Sequence, residues 1–304
     1  CPGLISDAYK GQAGRPYSPT AKEKRESAEQ RERQRQEFER RQAEIEQATA
    51  KDRQKASEKS TAMLAKANKD PRLSPYWQAK EKAAGLPLPM PSDICCDDVR
   101  MFLPVIGPVY WNNSLLVPLY IVGGDLNLCQ VSVEIICGTS NPQASRTGEK
   151  RGLKHGRREG VFYPINISAA RNGSPIVICE GVSSGVALNM MTGGKLPIFC
   201  AMSCGNFESV LDELCALYDR SPAFIVGDVG EGHRFAKRLA DGLPRRNLYA
   251  VDLEPCLPEQ DGADPFDILA RHGVENGRVL LRSMFRTARG LRGDDSLCDV
   301  AGNS

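Results

Sequence analysis

Short apolar runs alternate with stretches of helical pattern between residues 174 and 267. Each run has the length of a buried strand, and each stretch between runs is long enough for a helix. Because parallel strands need a crossover connection, this order predicts an α/β fold with a mainly parallel sheet and helices on both faces. The predicted strands are 176–179, 197–201, 223–227 and 247–251, the predicted helices are 183–192, 207–218 and 231–241, and a further helix opens at 264–267.

Two of the predicted strands end in an acidic residue. Glu180 follows the run 176–179, and Asp228 follows the run 223–227, with Glu231 a little further on. The carboxyl ends of parallel strands meet at one edge of a sheet, where ligands bind. Mg²⁺ prefers carboxylate oxygens and often binds together with substrate phosphates. We therefore predict that Glu180, Asp228 and Glu231 hold Mg²⁺ or Mn²⁺.

Each of these acids has a structural alternative. Glu180 could be a solvent-exposed acid at a strand end, and Asp228 could cap the following helix. Glu231 could be a first-turn acid that the helix dipole favours, which is the more frequent role of such a residue. Asp264 and Asp267 form a second acidic pair at a predicted helix start, where one is expected to be the N-cap and a metal or water-mediated role is the alternative.

Basic residues are concentrated in the polar stretch 146–158. Such a density fits phosphate binding, although solvent-facing loops can also be basic by chance. We predict that Lys150, Arg151 and Lys154 contact nucleic acid or nucleotide. Asn206 follows the second predicted strand, so we expect it at the same sheet edge and count it with this group. A second basic strip, which a plain basic helix explains equally well, carries Arg278, Arg282, Arg286, Arg289 and Arg292.

Composition divides the chain into four segments. Residues 1–70 are charged and rich in helix formers, which predicts a long solvated helix or linker supported by i,i+4 charge pairs. Residues 71–170 open with closely spaced prolines and continue as a β-rich subdomain, with a hairpin around Gly123-Gly124-Asp125. The α/β segment covers residues 171–275, and a basic tail covers 276–304.

The composition gives no sign of a membrane or exported protein. We find neither an apolar run of about 18 residues nor a signal peptide. The 11 cysteines include no C-x-x-C pair, which indicates reduced thiols. We therefore expect a cytoplasmic protein without a membrane partner. Because the first residue is Cys, we also expect an upstream part of the reading frame, which could carry a zinc ribbon.

The order of several short motifs resembles the Toprim domain of plasmid, phage and conjugative-element DNA primases. Ile176 to Gly181 resembles the strand V-x-I-x-E-G of that domain, and Lys150-Arg-Gly-Leu-Lys resembles its K-R-F-L segment. The resemblance spans most of residues 70 to 275 and rests on the order and spacing of the pieces together. The other matching pieces are Pro71 to Lys80, Leu115 to Gln130, Ala201 to Phe207 and Asp264 to Leu269.

This resemblance implies a compact α/β sheet in which a glutamate and a D-x-D pair hold Mg²⁺ at a site of phosphoryl transfer. In this chain the glutamate corresponds to Glu180 and the first aspartate to Asp228. The resemblance implies that these two are the catalytic residues. The second aspartate falls on Gly230, so the D-x-D motif is degenerate here. Glu231 lies one residue further on, where a side chain points in a different direction. The resemblance therefore implies a weakened metal site.

The activity that the resemblance implies is Mg²⁺-dependent synthesis of RNA primers on single-stranded DNA, in replication of a mobile element. Its partners would be single-stranded DNA, nucleoside triphosphates and a replicative helicase. A catalytically lapsed, nucleic-acid-binding remnant of such a primase is a second hypothesis, which the glycine at position 230 favours. A Toprim-type nuclease is a third hypothesis, although the sequence does not mark the catalytic tyrosine that topoisomerases of this class use.

Overall fold

The computed structural model describes residues 21–68, 70–103, 107–137, 149–169, 173–243, 247–258 and 260–290. The chain divides into two units, residues 1–51 and 52–304. Six α-helices lie in the described ranges: α1 (Ala21–Lys66), α2 (Pro75–Ala84), α3 (Val182–Met191), α4 (Phe207–Tyr218), α5 (Glu231–Gly242) and α6 (Pro265–Ala288, interrupted at Gly273). The strands are β1 (Cys95–Leu103), β2 (Gly107–Val122), β3 (Leu128–Ile136), β4 (Lys150–Gly152), β5 (Tyr163–Ile165), β6 (Ile176–Cys179), β7 (Ile198–Cys200), β8 (Ala223–Val226) and β9 (Leu248–Ala250).

The charged segment near the start of the chain forms the 46-residue helix α1. Its exposed surface carries i,i+4 ion pairs such as Arg35 with Glu39, which support a helix in water but add little to folding stability. Within the larger unit, Met63 and Leu64 at the end of α1 pack against a buried apolar cluster. The predicted long charged helix is confirmed. No helix in the described part of the chain is long and apolar enough to cross a membrane.

The β-rich segment forms an antiparallel sheet in the order β1-β2-β3-β4. β2 and β3 pair across the predicted glycine turn, with Leu115 opposite Ile136. The predicted hairpin is therefore confirmed. β4 extends the sheet beside β3 and places Lys150 opposite Ile136.

The second sheet has the strand order β5-β7-β6-β8-β9. β7, β6, β8 and β9 run parallel, and β5 pairs antiparallel with β7 at one edge. Every residue of β6 and β8 is buried, as expected for strands covered on both faces. The predicted mainly parallel sheet is confirmed, whereas β5 is a short edge strand that the sequence pattern did not indicate.

Helices cover both faces of the mainly parallel sheet. α3 and α6 pack on one face, where the rings of Phe224 and Phe285 stack with centroids 4.4 Å apart. α4 and α5 cover the other face with Phe207, Val210 and Ala236. Burial of these apolar side chains is the main source of stability, at about 1.5–3 kcal/mol for each large one. The arrangement leaves the carboxyl ends of the strands at one edge of the layered core.

One acidic side chain joins the two sheets. Asp93 accepts a hydrogen bond of 2.6 Å from Tyr163 Oη and one of 2.9 Å from Tyr120 Oη. Tyr120 and Phe162 also exchange two backbone hydrogen bonds of 2.8 and 3.0 Å. β2 is thereby fixed against the segment that contains β5. Because β4 belongs to the same sheet as β2, this junction helps to set the position of Lys150 relative to the parallel strands.

Candidate functional site

Glu180 and Asp228 end two neighbouring parallel strands, because Cys179 lies opposite Val226 in the pairing of β6 with β8. The backbone N–H of Asp228 donates a 3.2 Å hydrogen bond to Glu180 Oε1. The backbone N–H of Cys204, which follows β7, donates a 3.1 Å hydrogen bond to Glu180 Oε2. The structure thus brings together the two acids at the centre of the predicted site and fixes both oxygens of Glu180.

Two glycines, one in the connection from β8 to α5 and one in the first turn of α5, permit this close approach. A Cβ at Gly232 would overlap with Glu180 Oε1. A Cβ at Gly227 would overlap with the backbone of Gly232 and would stand 2.8 Å from the nitrogen of His233. Cβ atoms are not found at such distances, so a side chain at Gly232 would displace the Glu180 carboxylate and one at Gly227 would displace backbone. α5 can therefore begin directly against the Glu180 carboxylate.

The carboxyl group of Asp228 lies in a place that is unfavourable for a negative charge. Its Oδ1 atom is buried and has no hydrogen-bond partner among the described residues. Burial raises the pKa of Asp228 to about 8, and the charges of Glu180 and Asp264 add to the rise. Without a cation, this carboxyl is therefore largely protonated at neutral pH. A bound cation would favour its ionised form.

Lys150, which lies in β4, places a positive charge near Glu180 and Asp228. Its Nζ atom lies 3.8 Å from the position that a Cβ on Gly181 would occupy. Desolvation lowers the pKa of Lys150, but nearby groups, among them Glu134 and Asp228, outweigh that effect and leave the pKa raised. Burial also raises the pKa of Glu180, against the opposing effects of its two backbone donors and of Lys150. Lys150 therefore favours the ionised form of both acids.

The other two residues of the predicted basic group lie further along the chain. Arg151 follows Lys150 within β4, and its side chain projects from the opposite face because side chains alternate along a strand. Lys154 is exposed in the turn that follows β4. Of the three, Lys150 is the one whose charge acts on the pKa of both Glu180 and Asp228.

Asp264 and Asp267 form a capping box at the start of α6. Asp264 Oδ1 accepts hydrogen bonds from the backbone N–H of Phe266 at 2.6 Å and of Asp267 at 3.3 Å. Asp267 Oδ2 in turn accepts a 2.9 Å hydrogen bond from the backbone N–H of Asp264. Ser184 Oγ donates to the second Asp264 oxygen at 3.0 Å. The expected N-cap role of the pair is thus what the structure shows, and the charge of Asp264 still raises the pKa of Asp228.

Asn206 and Glu231 occupy positions that serve the fold. Asn206 is buried, and its amide donates 2.9 Å hydrogen bonds to the carbonyls of Val161 and Ala201. Its Oδ1 accepts a further 2.9 Å hydrogen bond from the N–H of Gly160. Both N–H groups and the oxygen of its side chain are thus engaged, so Asn206 acts as a structural clamp in this arrangement. Glu231 is exposed in the first turn of α5, where an acid is favoured by the helix dipole.

Helix α2 brings two residues to the site that the sequence analysis did not single out. Tyr76 Oη and Ser183 Oγ form a buried 3.0 Å hydrogen bond, which joins α2 to the first turn of α3. Lys80 Nζ lies 4.1 Å from the ring centroid of Phe266. Burial raises the pKa of Asp264, and the charge of Lys80 opposes that rise. Both residues lie in the segment Pro71 to Lys80, which resembles the Toprim primases. That resemblance is the sequence signal that could have identified them.

The donors around Glu180 and Asp228 are few for a metal site. No group of three or more His, Cys, Asp or Glu residues within the described ranges is arranged to hold a metal ion by itself. Mg²⁺, however, keeps several waters and commonly binds through one or two carboxylates together with substrate phosphates. The buried, unpartnered Oδ1 of Asp228 beside Glu180 matches that need. The two acids therefore fit a Mg²⁺ ion that takes its remaining ligands from water or phosphate.

Comparison with known proteins identifies the architecture. No family model matches the chain, and no curated protein matches it. The structure is similar to that of the DnaG primase catalytic domain bound to single-stranded DNA, with a TM-score of 0.51 over 79% of this chain and 80% of that chain. The fold is that of a primase catalytic core. At 13% sequence identity the likeness concerns the fold alone, and it confirms the primase-type fold that the sequence resemblance implied.

Two further primase structures superpose less closely on this primase-type fold. The DnaG catalytic core gives a TM-score of 0.49 at 11% identity, over 75% of this chain and 78% of that chain. The RNA polymerase domain of Mycobacterium tuberculosis primase DnaG gives a TM-score of 0.40 at 15% identity, over 67% of this chain. The present chain spans 60% of the length of that domain.

Proposed function

We propose that this chain is a primase-type nucleotidyltransferase that makes short RNA primers on single-stranded DNA. The observation that supports this most strongly is the meeting of Glu180 and Asp228 at the carboxyl edge of a primase-type sheet, with the Lys150 ammonium group beside them. Primer synthesis is a phosphoryl transfer, which depends on positioning and charge neutralisation rather than on a covalent intermediate with the protein. Two carboxylates and an ammonium group are suited to that task.

Each of the three side chains has a distinct proposed role. Glu180 and Asp228 would hold Mg²⁺ or Mn²⁺, which neutralises the triphosphate and activates the attacking hydroxyl. The two backbone donors to Glu180 give its carboxylate one preset position. Asp228 would ionise as its charge becomes compensated, because burial disfavours the charged form. Lys150 would bind the triphosphate as a compact positive charge.

Single-stranded DNA is the proposed template. The similar DnaG catalytic domain was solved bound to single-stranded DNA, which supports this choice. Arg151 and Lys154 would contact backbone phosphates, and the affinity would then fall as the salt concentration rises. Nucleoside triphosphates are the proposed substrates. Replication of a mobile element, together with a replicative helicase, is the setting that the Toprim resemblance implies, and the cytoplasm is the proposed location.

The test is primer synthesis by the full chain on single-stranded DNA, with the four ribonucleoside triphosphates and Mg²⁺ or Mn²⁺. We expect short RNA products from the wild type. Asp228→Asn and Glu180→Gln should each lower the rate by about 100-fold or more, because the cation contributes several kcal/mol to transition-state stabilisation. Asp241→Asn, at an exposed acid near the end of α5, is the matched control and should leave the rate unchanged. Equal rates for the wild type and Asp228→Asn would contradict the proposal.

A catalytically lapsed nucleic-acid-binding protein is the second candidate function. It is favoured by Gly230, which stands where the D-x-D motif has its second aspartate. Such a protein would bind single-stranded DNA in a salt-dependent manner without making any product. Retained binding of a labelled oligonucleotide, combined with no RNA product on several templates in Mn²⁺, would support this candidate in place of the enzyme.

A further inference from the structure

The paired strands β1 and β2 expose aromatic side chains at one end of the antiparallel sheet. Phe102 is 72% exposed, and Tyr110 is 42% exposed. Tyr110 lies opposite Arg100 in the pairing, and Phe102 lies opposite Pro108, so the four side chains share one face. We call these four residues the aromatic face. Contiguous exposed apolar surface, unlike a single exposed residue, is typical of an interaction site.

The reverse side of this strand pair is buried. Val99 and Trp111, which lie opposite each other, belong to the apolar cluster against which the end of α1 packs. Side chains alternate along a strand, so Arg100 and Tyr110 project from the face that is turned away from this cluster.

Lys150 projects from the same side of the sheet as the aromatic face. Its partner in the pairing of β3 with β4 is Ile136, which packs in the core shared with the parallel sheet and not in the cluster next to α1. Residues that lie directly opposite each other in an antiparallel pair share a face. Ile136 in turn lies opposite Leu115, and Tyr110 precedes Leu115 by five residues in β2. The aromatic face therefore lies about 15 Å further along the strand direction, on the side of Lys150.

Asp98 fixes the orientation of the Tyr110 ring. Tyr110 Oη donates a 2.8 Å hydrogen bond to Asp98 Oδ2, and the backbone N–H of Asn113 donates a 2.9 Å hydrogen bond to Asp98 Oδ1. The guanidinium carbon of Arg100 lies 5.0 Å from the centroid of the Tyr110 ring. The bonds from Asn113 and Tyr110 lower the pKa of Asp98, and the charge of Arg100 adds to that effect. Because the charges of Asp98 and Arg100 oppose each other, this surface offers a ligand oriented rings rather than a net charge.

We propose that the aromatic face stacks against unpaired bases of a single strand of DNA. This inference rests on the proposed function, because single-stranded DNA is the proposed template. Every base has a flat π-face, so exposed aromatic rings beside an arginine bind single strands with little dependence on sequence. The position of the aromatic face on the Lys150 side of the sheet allows one strand to contact both places.

The test is binding of fluorescein-labelled oligothymidylate to the full chain, measured by fluorescence anisotropy at several salt concentrations. Phe102→Ala removes an exposed ring, and circular dichroism verifies that the variant folds. We expect this change to weaken binding by about tenfold, as for the loss of one base stack. The slope of log affinity against log salt should stay the same, because no phosphate contact is lost. Leu126→Ala removes another exposed apolar side chain, in the turn between β2 and β3, and should bind as the wild type does.

A strand of abasic sites separates stacking from other contacts. It keeps the phosphates and has no base to stack, so the wild type and Phe102→Ala should bind it equally. Phe102→Trp keeps an aromatic ring and should bind oligothymidylate at least as tightly as the wild type does. Phe102→Leu keeps apolar surface without a ring and should bind as weakly as Phe102→Ala.

The outcomes separate this inference from the proposed function. If Phe102→Ala binds oligothymidylate as the wild type does, the inference is wrong and the proposed function stands; a changed sedimentation coefficient of that variant would then identify the aromatic face as an interface between two copies of the chain. Equal weakening of binding to the abasic strand would also overturn the inference, because the ring would not act on bases. If binding depends on Phe102 but the wild type makes no RNA, the inference stands and the proposed enzymatic activity fails.

Discussion

The ends of β6 and β8 deliver one carboxyl group each to the same edge of the sheet, but the surroundings of the two groups differ. Glu180 receives a backbone hydrogen bond on each of its oxygens. Asp228 has a buried Oδ1 without a partner among the described residues. The protein therefore fixes the first acid by itself and leaves the second dependent on a proton or a cation. Asp228, rather than Glu180, is therefore the group whose ionisation should respond most to pH and to cations.

The largest expected effect is on the pH dependence of stability. In the absence of divalent cations, the pKa of Asp228 is raised from 3.8 in the unfolded chain to about 8 in the folded protein. Between these values the folded protein holds a proton that the unfolded chain has released, so the free energy of unfolding falls as the pH rises. One such group contributes at most about 1.4 kcal/mol per pH unit. Asp228→Asn should remove this contribution, as measured by urea denaturation in EDTA.

Glu180→Gln provides the comparison for that measurement. The two backbone donors oppose the rise in the pKa of Glu180, so this change should alter the pH dependence less than Asp228→Asn does. If the two variants alter the pH dependence of stability equally, the difference drawn between Glu180 and Asp228 is wrong.

A smaller effect on stability is expected when the contact between α5 and the Glu180 carboxylate is disturbed. A Cβ at Gly232 would overlap with Glu180 Oε1, so Gly232→Ala should lower the free energy of unfolding by about 1–3 kcal/mol, the usual cost of overpacking. Gly242→Ala at the end of the same helix is the control, because a Cβ there meets no atom within 4 Å. Alanine has the higher helix propensity, so that variant should be as stable as the wild type or up to about 1 kcal/mol more stable. Equal stability of the two variants in urea denaturation would show that Glu180 is not confined by α5.

The smallest effect on the pH dependence of stability is expected when the positive charge of Lys150 is removed. Lys150 lowers the pKa of Glu180 and of Asp228. Lys150→Gln should therefore raise the folded-state pKa of Asp228 further, so that the loss of stability with rising pH continues to a higher pH than in the wild type. Lys154→Gln, in the exposed turn that follows β4, is the control and should leave the profile in place. A profile for Lys150→Gln that coincides with the wild type would place the ammonium group away from the carboxylates.

Local sequence patterns were sufficient to predict the parallel strands and their terminal acids. β6 and β8 are buried along their whole length, and such strands have continuous apolar sequences. Their shared direction follows from the two crossovers through α3 and α4, because a crossover connection makes the strands it joins parallel. Once the strands are parallel, Glu180 and Asp228 must meet at one edge of the sheet. This part of the site follows from short-range pattern and topology.

Contacts between distant parts of the chain could not be predicted in the same way. β5 has three residues and pairs antiparallel with β7, so it is too short to produce a pattern. The clamp made by Asn206 depends on the path of the loop that contains Gly160. The orientation of the Tyr110 ring likewise depends on Asp98 in the neighbouring strand. Loop paths are set by tertiary hydrogen bonds, which the spacing of residue types does not encode.

The ionisation of Asp228 with and without Mg²⁺ tests the difference between the two strand ends most directly. It can be followed by NMR of the full chain with ¹³C-labelled aspartate carboxyl groups, where Asp228→Asn assigns the signal. We predict a pKa of about 8 in EDTA, caused first by burial and then by the neighbouring acids, and a lower pKa in the presence of Mg²⁺ and a nucleoside triphosphate. An ordinary aspartate pKa in both conditions would contradict a carboxyl group that depends on a cation.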